Sequence, residues 1–143
     1  MNTTHVRPRH PLRTMAGRMA VAVLHSPLRF LLEPGIAELA YTGPRSGRVI
    51  SLPVMYARHG NQIVVLVGRA HHKSWWRNFR RPRHLQITVA GQASHGTAVV
   101  ASPGTTEFRG ALAAYRQRFS QVRFVPGDQL VIITLDAPDG HSQ

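Results

Sequence analysis

The sequence predicts one domain that is mainly β with flanking helices, and three observations support this. The chain has 143 residues, 43% of them hydrophobic, which is enough for a single core. Between Ile36 and Ala101, short apolar runs are separated by turn residues, which is typical of β-strands. Before and after that stretch, apolar residues recur at helical spacing. We therefore expect a β-rich core between helices.

The first 33 residues predict a basic arm followed by helices. Residues 1–13 contain two prolines and no periodic apolar face, so we expect a disordered arm. Met15, Met19 and Val23 recur every four positions, which predicts an amphipathic helix within residues 14–33, and a serine–proline pair begins a second one. A basic amphipathic helix can make a peripheral contact with anionic lipid, although packing on the core is the stronger interpretation.

Strands account for most of the predicted barrel domain at residues 34–137, and a short tail follows at 138–143. Ile63 to Val67 is an unbroken apolar run, as expected of a strand buried on both faces. Elsewhere apolar and polar residues alternate, and Pro53, which lacks an N–H donor, predicts an edge strand or a bulge. The predicted strands are 50–56, 63–67, 85–89, 95–101 and 129–135.

Two helices interrupt the strands. Residues 72–81 place Trp75 and Phe79 one turn apart, and the following proline ends this helix. Trp75 and Phe79 are expected in the core, with Trp76 packed on Arg80. A second helix is capped by either of two threonines, Thr105 or Thr106. Its predicted buried stripe is Phe108, Leu112, Tyr115 and Phe119.

The composition of the chain predicts the class of ligand and excludes several kinds of chemistry. Eighteen basic residues face six acidic ones, giving a formal charge of +12, and seventeen of the basic residues are arginine. Arginine suits phosphate and carboxylate ligands, so an anionic ligand is expected. The scattered carboxylates exclude glycosidase chemistry, and the absence of cysteine excludes disulfides and thiolate metal sites. No apolar run is long enough to cross a bilayer, which predicts a cytoplasmic protein.

The turn Thr42–Arg48 is the first candidate site. It contains two glycines, two arginines and two hydroxyl groups. Backbone amides exposed at glycine, together with Arg45 and Ser46, can hold a phosphate as a small nest. The alternative is an ordinary solvated hairpin turn, because the same residue types are common in any turn.

The segment Val67–Phe79 is the second candidate site. A glycine after a buried strand lets the chain approach a ligand, and Arg69 and Lys73 add positive charge beside an aromatic wall. This combination suits a planar ring with an anionic tail. The adjacent histidines His71 and His72 are expected to point apart, and no metal site is predicted.

Basic residues also cluster at Arg77–His84, which leaves a nucleic-acid-binding module as an alternative. No helix-turn-helix, zinc-finger or RNA-binding signature accompanies the cluster, so no nucleic acid partner is predicted. Ser51, His84 and Asp128 cannot be assembled into a catalytic triad from sequence, and the catalytic residues are left unknown.

The two candidate segments, in this order and spacing, resemble the deazaflavin-dependent nitroreductase family of actinobacterial split β-barrel proteins. The resemblance covers residues 36–136. It is carried by the T-G-x-R-S-G turn at Thr42–Gly47, by Pro53, and by W-W-R-N-F at Trp75–Phe79, which is similar to that family's W-Y-x-N-L. The resemblance implies a split β-barrel of the FMN-binding type, a homodimer, and a small-molecule substrate.

The resemblance also implies the cofactor, the deazaflavin coenzyme F-420, and the residues that bind it. The protein would bind, orient and shield the reduced ring, which gives a hydride to a quinone, nitroaromatic or similar electron-poor substrate. The implied cofactor-binding residues are Arg45, Ser46, Arg48, Ile50, Ser51, Leu52, Pro53, Val54, Met55, Val67, Gly68, Arg69, Ala70, Ser74, Trp75, Trp76, Arg77 and Asn78.

The chain departs from that family in three places. Pro44 and Ile50 stand where the family often has basic residues, and Arg48 can replace one of them. The segment Phe119–Arg123 lacks the family's tyrosine, so any role of that tyrosine is not carried over. The loop between Val67 and Trp75 is shorter than usual. These departures leave open a flavin (FMN or FAD) instead of deazaflavin, or a non-catalytic carrier of flavin, deazaflavin or haem.

Overall fold

The computed structural model describes residues 35–137. The predicted arm at 1–13, the predicted helices at 14–33 and the predicted tail at 138–143 lie outside the described residues. The strands are β1 (Ile36–Thr42), β2 (Val49–Met55), β3 (Ala57–His59), β4 (Gln62–Val67), β5 (Arg83–Val89), β6 (Gln92–Val100) and β7 (Gln129–Leu135), and the α-helix is α1 (Thr106–Arg118). Within residues 35–137, no helix has the length and apolar character needed to cross a membrane.

All seven strands belong to one antiparallel sheet in the order β2-β1-β5-β6-β7-β4-β3. The sheet curls until β2 and β4 lie close together, so it forms a half-barrel with α1 packed on β3, β4 and β7. The predicted fold class, mainly β with flanking helix, is confirmed for the described residues.

The two edges of the sheet are unequal. β2 pairs with β1 on one side only, and Pro53, opposite Glu38, lies on this edge strand as predicted. At the other edge, β3 pairs with Gln62–Val64 of β4 and then ends. Val65–Val67 therefore pair with β7 on one side and have no strand partner on the other among residues 35–137.

The core has two layers, one on each face of the curled sheet. The inner layer, inside the half-barrel, contains Leu39, Phe79, Ile87 and Ile133 among its fully buried side chains. The outer layer lies between the sheet and α1. From the predicted helical stripe it contains the buried Phe108 and Tyr115 and the partly buried Leu112 and Phe119, and Ala111 is buried beside them. The helix begins as predicted, because the Thr105 side chain accepts a hydrogen bond of 3.1 Å from the Phe108 N–H.

The predicted helix at 72–81 is wrong. The structure has two short 3-10 helices instead, at Ala70–His72 and Trp75–Phe79, separated by Lys73 in an extended conformation. The indole of Trp76 donates a 2.7 Å hydrogen bond to the Ala70 carbonyl, which ties the second segment back onto the first. This side-chain bond spans six residues and links the two short helices, whereas the spacing of Trp75 and Phe79 reports only a preference for a helical turn.

The aromatic and histidine side chains of this segment also differ from the prediction. Phe79 is fully buried as expected, but Trp76 is buried too and Trp75 is half-buried. The Arg80 guanidinium does pack on the Trp76 ring, 5.2 Å from its centre. His71 and His72 were predicted to point apart, which is wrong, because their ring centres are 4.0 Å apart.

Replacing either of two glycines by alanine is expected to change stability, in opposite directions. A Cβ at Gly96 in β6 would lie 2.7 Å from the Thr134 carbonyl oxygen, so Gly96→Ala should lower the free energy of unfolding by roughly 1–3 kcal/mol. A Cβ at Gly110 in α1 would meet only the exposed His59 ring at 3.3 Å. Because that ring can move, Gly110→Ala should raise the free energy of unfolding by about 0.5–1 kcal/mol. Urea unfolding measures both changes, and a neutral Gly96→Ala would contradict the backbone clash.

Candidate functional site

A cleft of about 400 Å³ lies where the two unpaired strand edges meet, and we call it the edge cleft. One wall is the edge strand β2, and the other is the part of β4 that extends beyond the short β3. Trp75 and Lys73 lie on it from the loop, and Tyr115 from α1. The edge cleft is lined by Leu52, Pro53, Val54, Met55, Val65, Leu66, Val67, Lys73, Trp75 and Tyr115.

The edge cleft combines apolar walls with unused backbone groups. Most of its lining side chains are aliphatic or aromatic. The edges of β2 and of Val65–Val67 also present N–H and C=O groups that no strand within residues 35–137 pairs with, except at Pro53, which has no N–H. A narrow cleft of this kind suits a flat ring system whose faces are apolar and whose rim carries hydrogen-bonding groups.

Two side chains bring ionisable groups to the edge cleft. The Lys73 ammonium donates a 2.7 Å hydrogen bond to the Gly68 carbonyl, which fixes a positive charge at the cleft. Tyr115 is buried, and this burial raises the pKa of its phenol above 10.0. The phenol therefore stays protonated at neutral pH and can donate a hydrogen bond.

The raised pKa of Tyr115 predicts a loss of stability at alkaline pH. The folded state disfavours the phenolate of Tyr115. The stability that depends on the uncharged phenol is therefore complete below the pKa of Tyr115 in the unfolded chain, about 10, and is lost as pH rises through the pKa of Tyr115 in the folded state. Tyr115→Phe should therefore reduce the fall in unfolding free energy between about pH 9 and pH 11. Urea unfolding at both values measures this, and an unchanged pH dependence would show that Tyr115 is not the group responsible.

A second cleft, of about 550 Å³, brings together the two candidate segments of the sequence, and we call it the arginine cleft. Arg45 and Arg77 supply its positive charge, one from each segment. The first segment contributes a β1–β2 turn and the second the 3-10 helix Trp75–Phe79. The arginine cleft is lined by Gly43, Pro44, Arg45, Ser46, Ile50, Ser74, Arg77 and Asn78.

The β1–β2 turn uses its glycine amides internally. The Gly43 N–H donates to the Arg48 carbonyl at 2.8 Å, and the Gly47 N–H donates to the Gly43 carbonyl at 3.0 Å. The Ser46 hydroxyl oxygen accepts a 3.1 Å bond from the Arg48 N–H. The predicted nest of free glycine amides is therefore not what this turn presents. An anion in the arginine cleft would instead meet guanidinium and hydroxyl groups.

Asn78 holds the two candidate segments at a fixed separation. Its side-chain amide donates to the Tyr41 hydroxyl at 3.2 Å, on β1, and to the Trp75 carbonyl at 2.9 Å. Asn78 thus connects the 3-10 helix with the strand that leads into the turn. The arginine cleft is consequently built from elements that the fold fixes relative to each other.

The two clefts are neighbours along β2. On β2, Ile50 lines the arginine cleft and Leu52 lines the edge cleft. In the tryptophan segment, Ser74 lines the arginine cleft and Trp75 lines the edge cleft. Two of the exposed large hydrophobic residues among 35–137 are Ile50 and Met55, near the two ends of β2. We call these two neighbouring clefts together the groove along β2, which has mostly apolar lining in the edge cleft and two arginines in the arginine cleft.

The structure brings most of the predicted binding residues to this groove. Those lining one of the two clefts are Arg45, Ser46, Ile50, Leu52, Pro53, Val54, Met55, Val67, Ser74, Trp75, Arg77 and Asn78. Those lining neither cleft are Arg48, Ser51, Gly68, Arg69, Ala70 and Trp76. The Ser51 hydroxyl donates to the buried Glu38 carboxylate at 2.6 Å, and Trp76 is occupied by its bond to Ala70.

Sequence reasoning assigned no site role to Val65, Leu66 or Tyr115, which line the edge cleft. Tyr115 belongs to the helical stripe and was correctly expected to be buried, but one buried side chain can also border a cleft. The signal that could have found these residues is the shortness of β3, because only a three-residue strand leaves the end of β4 open. Among residues 35–137, no three potential metal ligands of the His, Asp or Glu type lie together.

Solved structures with this fold bind several cofactors. The haem storage protein HutZ from Vibrio cholerae superposes with a TM-score of 0.58 at 16% identity, covering 77% of this chain and 87% of that one. An F420-H2 dependent reductase, FDR-A, superposes at 0.51 with 18% identity, covering 70% and 94%. A structure described as a domain-swapped dimer gives 0.53 at 16% identity, covering 88% and 98%. At these identities, the similarities establish the split-barrel fold alone.

The sequence itself carries the family assignment. No curated protein matches the chain. The family described as F420H(2)-dependent quinone reductase matches residues 15–125, which is more than three quarters of the chain and includes β1 to β6, α1 and every residue that lines the two clefts. This agrees with the resemblance that the turn and the tryptophan segment indicated. The chain therefore belongs to the F420H(2)-dependent quinone reductase family.

Proposed function

We propose that this protein is a cytoplasmic reductase that binds the reduced deazaflavin coenzyme F-420 and reduces a quinone, a nitroaromatic or a similar electron-poor ring. The single observation that carries the proposal is the groove along β2. Its apolar end would accept a flat ring, and Arg45 and Arg77, which line its other end, would face a phosphate and a glutamate tail. Membership of the family supports the choice of coenzyme.

The residues present fit this coenzyme. Leu52, Val54 and Val67 would pack against the ring, with the half-buried Trp75 covering it. Free backbone groups of β2 and β4 would bond the polar rim of the ring. The Lys73 ammonium would favour a ring that carries negative charge. The chain thereby orients the ring and excludes water from it.

Hydride transfer requires few catalytic side chains from the protein. The bound coenzyme supplies the hydride, so no acid–base dyad is required of the side chains. Tyr115 would hold a proton on its phenol oxygen at the edge of the same cleft, because burial keeps the phenol uncharged. We propose Tyr115 as a proton source for the reduced product, alongside solvent.

A non-catalytic carrier of flavin or haem is the second candidate function. The observation that favours it is the segment Phe119–Arg123, which lacks the tyrosine of the resembled family. The apolar walls of the edge cleft would also accept other flat rings. The fold supports this breadth, since HutZ is named as a haem storage protein and a protein from Mesorhizobium loti with a TM-score of 0.50 is named as FAD-binding.

We also propose a homodimer. The solved structure described as a domain-swapped dimer covers 88% of this chain and supports self-association in this fold. Light scattering of the purified protein should give twice the chain mass, whereas the mass of one chain at working concentration would exclude a dimer.

Binding and turnover together test the proposed function. Coenzyme F-420, FMN and haem are titrated separately into the purified protein, and the reduced F-420 complex is then mixed with a quinone or a nitroaromatic. We expect F-420 to bind most tightly and its oxidation to follow the added acceptor. Binding without oxidation would favour the carrier, and preference for FMN or haem would replace the coenzyme. Tight binding to DNA at about 0.15 M salt without any ring binding would contradict both.

A further inference from the structure

Asp128 is a buried residue in the turn before β7, and it bonds to the loop that follows β4 of the edge cleft. Val125–Asp128 forms a β-turn in which the Asp128 N–H donates to the Val125 carbonyl at 3.0 Å and Gly127 has φ +94°, as in a type II turn. The Asp128 side chain is 9% exposed. One carboxylate oxygen accepts the Val125 N–H at 3.0 Å, and the other accepts the Arg69 N–H at 3.2 Å. Asp128 thus joins two loops that are 59 residues apart in sequence.

Arg69 has a backbone conformation that few side chains adopt. Its φ of 54° and ψ of 45° lie in the left-handed region, where a Cβ meets the neighbouring carbonyl. Among residues 35–137, only Arg69 and Ala90 have positive φ without being glycine. Such a conformation persists where neighbouring groups fix it, and here the Asp128 carboxylate holds the amide of the residue itself.

The path of the cleft wall depends on Arg69. The 3-10 helix that follows begins with a 2.9 Å bond from the His72 N–H to the Arg69 carbonyl. Its first residue, Ala70, accepts the indole N–H of Trp76, and the residue before Arg69, Gly68, accepts the Lys73 ammonium. A change of φ at Arg69 would therefore redirect the segment that carries Lys73 and Trp75 to the edge cleft.

We infer that Asp128 is a positioning residue for the edge cleft, because its carboxylate holds Arg69 in the left-handed conformation that directs Lys73 and Trp75 onto the ligand. A carboxylate suits this task, since it offers two acceptor oxygens to two amides, whereas an asparagine side chain offers one. The expected effect on affinity for coenzyme F-420 rests on the proposed function. The expected effect on the position of the segment that carries Lys73 and Trp75 does not.

The test uses Asp128→Ala combined with two substitutions of Arg69 that differ only in backbone freedom. Both tryptophans of the chain lie in the 3-10 helix Trp75–Phe79, which follows Arg69, so acrylamide quenching of tryptophan fluorescence reports on the position of this segment without any ligand. Affinity for coenzyme F-420 is measured in parallel. Asp128→Ala should increase quenching and weaken F-420 binding about tenfold, as for loss of one charge-assisted hydrogen bond.

The second substitution separates positioning from general damage. Adding Arg69→Gly should restore both quenching and affinity, because glycine adopts positive φ without support. Adding Arg69→Ala removes the same guanidinium but keeps the Cβ, and it should not restore them. Equal rescue by both substitutions, or unchanged quenching in Asp128→Ala, would overturn the inference.

Two further outcomes are also informative. If Asp128→Ala does not fold, Asp128→Asn takes its place, and the same difference between the glycine and alanine substitutions at Arg69 is expected. If the quenching follows these expectations while the unsubstituted protein binds no F-420, the proposed function is wrong and the positioning of the wall by Asp128 stands.

Discussion

Replacing Arg45 and Arg77 together by alanine is expected to weaken the binding of coenzyme F-420 on the order of 100-fold. Each guanidinium lines the arginine cleft from a different segment, so the pair can hold one anionic group from two sides. A hydrogen bond to a charged group contributes about 1.5–3 kcal/mol, and the lower figure applies because both side chains are exposed. Two such losses give about 3 kcal/mol, or roughly 100-fold in affinity.

A matched variant distinguishes this contact from the general charge of the protein. Arg116→Ala combined with Arg123→Ala removes the same two charges from exposed positions outside both clefts, and we expect a change in affinity below about threefold. The affinity is measured by fluorescence titration at low and at about 0.15 M salt. Equal losses in the two double variants would mean that net charge attracts the coenzyme and that the arginine cleft has no special role.

Phe79→Ala is expected to lower the free energy of unfolding by about 3–5 kcal/mol. Phe79 is fully buried in the inner layer, with its ring centre 5.1 Å from that of Tyr41 and 6.2 Å from that of Trp75, both in edge-to-face arrangements. Because Phe79 is 0% exposed, removal of its ring leaves a cavity in the inner layer. Chemical unfolding followed by circular dichroism measures the change.

The control for Phe79 is Phe124→Ala, in the outer layer. Phe124 is only half-buried, although its ring also meets an aromatic partner, Phe108, edge to face at 5.3 Å. We expect a loss of about 1–2 kcal/mol, because less apolar surface returns to water. A loss at Phe79 no greater than the loss at Phe124 would contradict the central place of Phe79 in the inner layer.

Five strands, β2 and β4 to β7, could be predicted because burial leaves a clear pattern in them, whereas no bounds were predicted for β1 and β3. β4 is covered on both faces and reads as an unbroken apolar run, and β5 alternates because its two faces differ. The position of Pro53 on an edge strand could be predicted because proline has no N–H to donate to a second neighbouring strand. The predicted helix at 72–81 was wrong, and the bond from the Trp76 indole to the Ala70 carbonyl is a side-chain contact that hydrophobic periodicity does not record.

The site could be predicted in its motifs and not in its geometry. The turn at Thr42–Arg48 and the tryptophan segment were expected to carry the ligand-binding residues, which stays a prediction, and residues of both segments line the arginine cleft. The edge cleft depends on where β3 stops pairing with β4, and no bounds for β3 were predicted from the sequence. Asp128 was considered only as a member of a triad, because its bond to Arg69 spans 59 residues of sequence.

The place of β7 in the sheet has a consequence for how the chain is completed during synthesis. This strand is the last of the seven along the chain, yet it lies between β6 and β4 and pairs with both. Without β7, the strands of residues 35–137 form two sets, β2-β1-β5-β6 and β4-β3, that no backbone ladder joins. A nascent chain in which residues 129–135 are not yet free to pair lacks this connection, and we expect a chaperone that shields the unpaired edges of β4 and β6 to assist folding most at that stage.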